Sequence, residues 1–181
     1  MTPLETITNN GLIGKIFQDE DPENPRELDN LATLVCFHRR YTLGDRHSYR
    51  HEDYSGWGDF EASLRKADPS AVILPLHLYD HSGITISTRP FSCPWDSGQI
   101  GFVMVPSSKI REEYGVKRIT RKIRERAEGV ARGEVETYDS YLRGDVYGYT
   151  LEKEGEEDSC WGFFGMDAVR EELQAAMGIA A

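Results

Sequence analysis

The densest grouping of reactive side chains is Phe91–Gln99, FSCPWDSGQ. It sets a thiol (Cys93), an indole (Trp95), a carboxylate (Asp96), a hydroxyl (Ser97) and an amide (Gln99) within seven residues. Proline and glycine shape this stretch as a loop, and functional side chains concentrate on loops held between rigid strands. Two chemistries are open to it. In one, Cys93 attacks as a nucleophile after a histidine takes its proton, with Asp96 beside it. In the other, Trp95 is an apolar anchor for a partner surface and the polar residues around it supply adaptable contacts. The first needs an imidazole within hydrogen-bond reach of the thiol. His81 is expected in a turn at one end of a strand over 84–90, with Cys93 beyond the other end. Seven strand residues span about 23 Å, so His81 is not expected to reach. His77 is expected to point across the sheet nearer its middle, and His38, which the pattern does not place, is the base named for this reading.

Three other strings hold metal-ligating types: Cys36-Phe37-His38, His47-x-x-x-His51 and His77-x-x-x-His81. Residues four apart share a helix face, but on a strand they lie about 13 Å apart. His77 and His81 belong to a strand and its turn, and GDRHSYRHEDYSG around His47 and His51 is a poor helix. Neither CxxC nor HExxH occurs, so neither a metal nor a cofactor is expected.

Charge is segregated. Lys117–Arg126, KRITRKIRER, holds six basic residues against Glu125, leaving 15 basic and 30 acidic residues elsewhere in a chain of net charge -10. On a helix, Arg121, Lys122 and Arg124 fall opposite Ile119 and Ile123, where they form a candidate contact for nucleic acid or an acidic partner. The overall negative field opposes general nucleic-acid binding. Acidic runs at Asp19–Asp29 and Glu152–Asp158 offer the converse reading, carboxylates that imitate a phosphate backbone.

The elements that must position these residues follow from periodicity. Gly11–Phe17 reads as an opening strand and Thr33–Phe37 as a buried one. Trp57, Phe60 and Leu64 mark one face of a helix ending near Ala67, before Asp68-Pro69. Ala71–Tyr79 reads as a central strand, with Pro75 requiring a bulge or a position beside an edge. Asp80-His81-Ser82-Gly83 turns it into a second strand. Ile100, Phe102 and Met104 lie on a third. A short helix follows Ser107 and Ser108, and a long one runs from Thr120 to Leu142 with Ile119, Ile123, Ala127, Val130, Tyr138 and Leu142 near one stripe. Gly129 and Gly133 inside it signal either a close backbone approach or a break. Strands at Val146–Leu151 and Cys160–Phe164 precede a closing helix over Met166–Met177 with Val169, Leu173 and Ala176 inward. The pattern predicts an α+β fold: an antiparallel-rich central sheet with a few flanking helices, as a single domain over residues 1–181.

Composition narrows the class. Nineteen aromatic residues and a 39% hydrophobic content supply a core. Three cysteines, Cys36, Cys93 and Cys160, do not make a disulfide framework and suit a reducing compartment. The opening MTPLETITNNGLIGK lacks a basic segment followed by an apolar run, so no secretory signal is expected. No stretch approaches the roughly 18 apolar residues of a membrane span. A cytoplasmic protein without a membrane partner is expected.

The strings NLATLVCFHRRYTLGD (Asn30–Asp45), LYDHSGITISTRPFSCPWDSGQIGFV (Leu78–Val103), GEVETYDSYLRGDVYGY (Gly133–Tyr149) and DSCWGFFG (Asp158–Gly165) resemble a family of small proteins carried by phages, plasmids and other mobile elements. That family has no established activity, so the resemblance transfers no catalytic residues. It implies an accessory protein that binds a host macromolecule, as anti-defence inhibitors and DNA mimics do. The leading expectation is therefore a non-enzymatic protein that binds a host protein through Cys93, Trp95, Asp96, Ser97 and Gln99. The alternatives are a cysteine enzyme using Cys93, Asp96 and His38, and nucleic-acid binding through Arg121, Lys122 and Arg124.

Overall fold

The computed structural model of the protein describes residues 2–179. Among these residues are four α-helices and eight strands in two antiparallel sheets, an α+β architecture. The strands do not form one central sheet, as the pattern predicts, but two sheets of four. The chain divides into two compact units: residues 1–25 with 140–181, and residues 26–139.

The first unit carries the sheet ordered β1 (Glu5–Asn9), β2 (Leu12–Gln18), β7 (Val146–Lys153) and β8 (Glu156–Phe164), together with α4 (Met166–Ala176). β1 escapes sequence patterning because it has no fully buried residue and Ile7 is its lone aliphatic. Its signal is the turn: Asn10 and Gly11 have φ of 48° and 81°, the paired left-handed conformation that joins tight hairpins. Glu154 and Gly155 repeat this at 53° and 88°. The acidic turn is thereby only two residues long, and β8 begins earlier than its apolar stretch suggests. α4 buries Val169, Leu173 and Met177 against Ile16. Met177, rather than the expected Ala176, completes this face; Ala176 is exposed. The edge strand β8 displays Glu156, Glu157 and Asp158 to solvent, a charged edge that discourages strand addition.

The second unit carries the sheet ordered β3 (Thr33–Cys36), β6 (Ser97–Val105), β4 (Val72–Asp80) and β5 (Ile84–Ser87). β4 is apolar on both faces and buried along most of its length. Pro75 is accommodated in both expected ways. β5 pairs only with His77–Asp80, so Pro75 has no neighbour on that side, and the β4–β6 register shifts between Leu76 and His77. α1 (Trp57–Ala67) lays Phe60 and Leu64 on Val35, Ile73 and Phe102. After α2 (Ser107–Glu113) comes α3 (Arg121–Leu142), one unbroken helix of 22 residues.

The buried row of α3 is Ala127, Ala131, Val135 and Tyr138. The expected stripe is off by one residue at its middle: Val130 is 43% exposed, and Ile119 precedes the helix. Gly129 and Gly133 neither break the helix nor admit another backbone, since a Cβ at either would meet nothing within 4 Å. Polar side chains of α3 bind backbone across the second unit. Arg124 donates to the carbonyls of Ser70 and Ala71, Glu134 accepts from the amides of Leu31 and Ala32, and Asp139 accepts from the amide of Ile86.

Candidate functional site

The Phe91–Gln99 loop is built by the early end of β5. This strand stops at Ser87, where the Ser87 hydroxyl accepts the Arg89 amide at 3.0 Å, and Pro90 follows. The chain then doubles back and starts β6 beside the far end of β4, pairing Ser97 with Tyr79. The Asp80 amide donates to the Asp96 carbonyl at 2.8 Å, fastening the loop to the turn that carries His81. The expected separation of His81 from Cys93 is therefore wrong. It assumes a strand running on to residue 90 and a loop beyond its far end; the real loop returns to the near end.

The result is a cluster around one carboxylate oxygen. Asp96 Oδ2 lies 3.2 Å from His81 Nδ1 and 3.8 Å from Cys93 Sγ. The Ser97 hydroxyl donates to the Cys93 carbonyl, and Gln99 Nε2 donates to the Gly101 carbonyl at 3.1 Å. The Tyr79 ring stacks on His81 at 5.9 Å and lies tilted to Phe91 at 5.7 Å between ring centres. Ser97 and Gln99 thus brace the loop. Trp95 is held outward, 92% exposed. Two-ring aromatics are seldom so bare on a monomer surface, where they add apolar area without burial.

This arrangement does not make the pair that thiol catalysis requires. A nucleophilic cysteine needs its base on the sulfur and the base's orienting group beyond it. Here the carboxylate stands between thiol and imidazole, and His81 touches Asp96 rather than Sγ. The side chains of His81 and Asp96 are 63% and 40% exposed, so their attraction is screened by water and contributes about 0–1 kcal/mol. His38 is engaged elsewhere. Its ring stacks on Tyr41 at 5.0 Å, and its Nδ1 accepts the amides of Arg40 and Tyr41.

The basic segment is also partly committed. Arg121 pairs with Glu125 at 2.7 Å, a one-turn helix pair, and Arg124 is the backbone clamp described above. Lys122 and Arg126 remain exposed. Arg124 is therefore not available to a ligand without unfastening the start of β4.

A second region sits between β3 and α1. Residues 37–56 contain a single short helical turn, His51–Asp53, and enclose a cleft of about 770 Å³. Irregular segments this long inside a compact unit are commonly functional. Cys36 lines the cleft, but burial pushes its thiol up to about 12, with the Asp45 charge adding to the rise. It is a protonated, inert thiol. His47 donates from Nε2 to the Cys36 carbonyl at 3.0 Å, which leaves its buried Nδ1 without a hydrogen-bond partner. An orphaned buried polar atom of this kind costs about 1–3 kcal/mol. The cleft's wall is held from behind by Arg26. Its side chain is 3% exposed and grips Asp45 through two hydrogen bonds of 2.7 and 3.0 Å, with Glu134 at 3.3 Å. Burial alone would lower the Arg26 pKa; the bonds and charges of Asp45 and Glu134 outweigh it and raise the value.

Sequence reasoning does not single out Arg26, Asp45 or Glu134. They are 19 and 108 residues apart from Arg26 in the chain, and nothing local marks an arginine for burial. Among the described residues no group of three histidine, cysteine or acidic side chains is placed to hold a metal ion, and no helix is long and apolar enough to cross a membrane. No family model, no curated protein and no solved structure matches the chain.

Proposed function

We propose that this is a non-enzymatic accessory protein of a mobile element that binds a host protein through the Phe91–Gln99 loop. The observation that carries the reading is Trp95: 92% exposed, on a loop fastened at both sides by backbone and side-chain hydrogen bonds. An indole presented on a rigid platform loses little conformational freedom on docking, and such anchors dominate interface energetics. Phe91, Tyr79 and His81 form an aromatic group on the same loop and the turn it is fastened to, and Cys93 and Asp96 add polar groups beside Trp95 in the chain. The mobile-element origin rests on the resemblance of the four strings named above. The net charge of -10 favours a basic target, including a nucleic-acid-binding host enzyme that an anti-defence protein would block. Trp95→Ala tests the interface. It should leave the melting temperature unchanged and weaken partner binding by about 2 kcal/mol or more; unaltered binding would show that the loop is not the interface.

The second reading is a cysteine enzyme, favoured by the shared contact of Cys93 and His81 with Asp96. It requires that Asp96→Asn and His81→Ala each change the rate at which iodoacetamide modifies Cys93. Rates equal to those of the unaltered protein would remove this reading.

A further inference from the structure

The cleft between β3 and α1 has a lining whose charge runs against that of the chain. Arg39, Arg46 and Arg50 border it, together with His38, His47 and His51. Its carboxylates are Asp45, already held by Arg26 and by the Leu34 amide at 2.7 Å, and Glu52. Arg26, Arg40, Arg65, Arg121, Arg143 and Arg170 each pair with an acid. Arg39, Arg46 and Arg50 make no ion pair and no side-chain hydrogen bond among the described residues. Three uncommitted guanidinium groups thus border one concavity in a protein with ten more acids than bases. Like charges gathered this way repel unless an anion joins them, and the guanidinium fork matches phosphate oxygens two at a time.

Part of the lining is aromatic. Phe37 lies edge to face with His47 at 5.1 Å and with His51 at 5.7 Å, and the unpartnered Nδ1 of His47 is buried. The volume, about 770 Å³, falls within the range of small-molecule sites and is too small for a folded partner.

We infer that this cleft binds a small phosphorylated molecule, with Arg39, Arg46 and Arg50 holding the phosphate. The site stands apart from the Trp95 loop in its residues and its chemistry. Free phosphate and a nucleotide share the phosphate group, so two probes separate them.

The test is calorimetric titration of the full chain with inorganic pyrophosphate and with adenosine 5′-monophosphate. The variants are Arg46→Gln/Arg50→Gln and, as a control, Arg118→Gln/Arg126→Gln, which removes two arginines outside the cleft. At least one probe should bind the unaltered protein. The cleft variant should bind it at least about tenfold more weakly and the control variant equally well. Tighter binding of the nucleotide would assign the rest of the cleft to a base and sugar; equal binding would assign it to phosphate alone, and both outcomes support the site. No heat from either probe at millimolar concentration overturns the proposal, and so does an equal loss in both variants. Circular dichroism and melting of the cleft variant distinguish lost binding from lost folding, because both arginines are exposed and their side chains make no ion pair or hydrogen bond among the described residues.

Discussion

Arg26 is the residue on which the second unit leans most. It is buried, forks onto Asp45 and reaches Glu134, while those two carboxylates accept the amides of Leu34, Leu31 and Ala32. Arg26→Ala would leave two largely buried carboxylates facing each other without a cation. A loss of about 3–5 kcal/mol in unfolding free energy is expected in urea titration. Asp68 carries a pH dependence. Burial alone would lift its pKa, but hydrogen bonds from Ser107, Ser70 and Ala71 together outweigh this and hold it below the ordinary carboxyl value. A group depressed in the folded state stabilises above its unfolded pKa, and that stability is lost as pH falls through the folded value. Asp68→Asn should therefore flatten the fall in melting temperature between roughly pH 5 and pH 2. The thiols differ likewise. Cys36 and Cys93 are both half-buried and Cys160 is exposed, but desolvation and the Asp45 charge push the Cys36 pKa up to about 12. Mass spectrometry after brief alkylation of the native protein should find Cys93 and Cys160 modified and Cys36 intact, with Cys36 reacting only in denaturant. Of these features only the reactive types of the Phe91–Gln99 loop were legible in the sequence. The thiol–carboxylate–imidazole contact was not, because it depends on where β5 ends, and that end is set by a Ser87 hydroxyl capturing the Arg89 amide.

At the scale of elements, the sequence reveals those that bury a complete apolar stripe. β3, α1, the β4–β5 hairpin and α4 all appear close to their expected places because Val35, Phe60, Leu78 and Leu173 repeat at strand or helix period. β1 fails that criterion and is marked by its turn alone. α3 fails it differently: half of its buried row is alanine, so the larger but exposed Val130 stands out in the pattern. The same helix offers a test. Gly129 and Gly133 have helical backbone with open space where a Cβ would be. Glycine in a helix interior costs about 0.5–1 kcal/mol relative to alanine. Gly129→Ala and Gly133→Ala should each raise stability by roughly that amount in thermal or urea unfolding. Destabilisation by either would mean that the helix must bend or open there.

At the scale of the whole molecule, α+β content and antiparallel pairing follow from the alternation of strand and helix signals. The split of the strands into two sheets does not, because pairing partners are chosen by contacts between residues far apart in the chain: β2 takes β7 as its neighbour. Charge is the other global property. Within the most conspicuous basic string, Arg124 is spent on internal hydrogen bonds and Arg121 on its own helix, while Lys117, Arg118, Lys122 and Arg126 stay exposed. For a protein partner, the surface offers the exposed indole on an acidic background. The measurement that bears most directly on this account is a nuclease-treated affinity capture from a bacterial host lysate. The tagged protein and its Trp95→Ala variant are run side by side and quantified by mass spectrometry. A stoichiometric host protein should be recovered with the unaltered chain and lost with the variant, while both melt at the same temperature. Equal recovery by the two, or recovery only when nucleic acid is left intact, would contradict it.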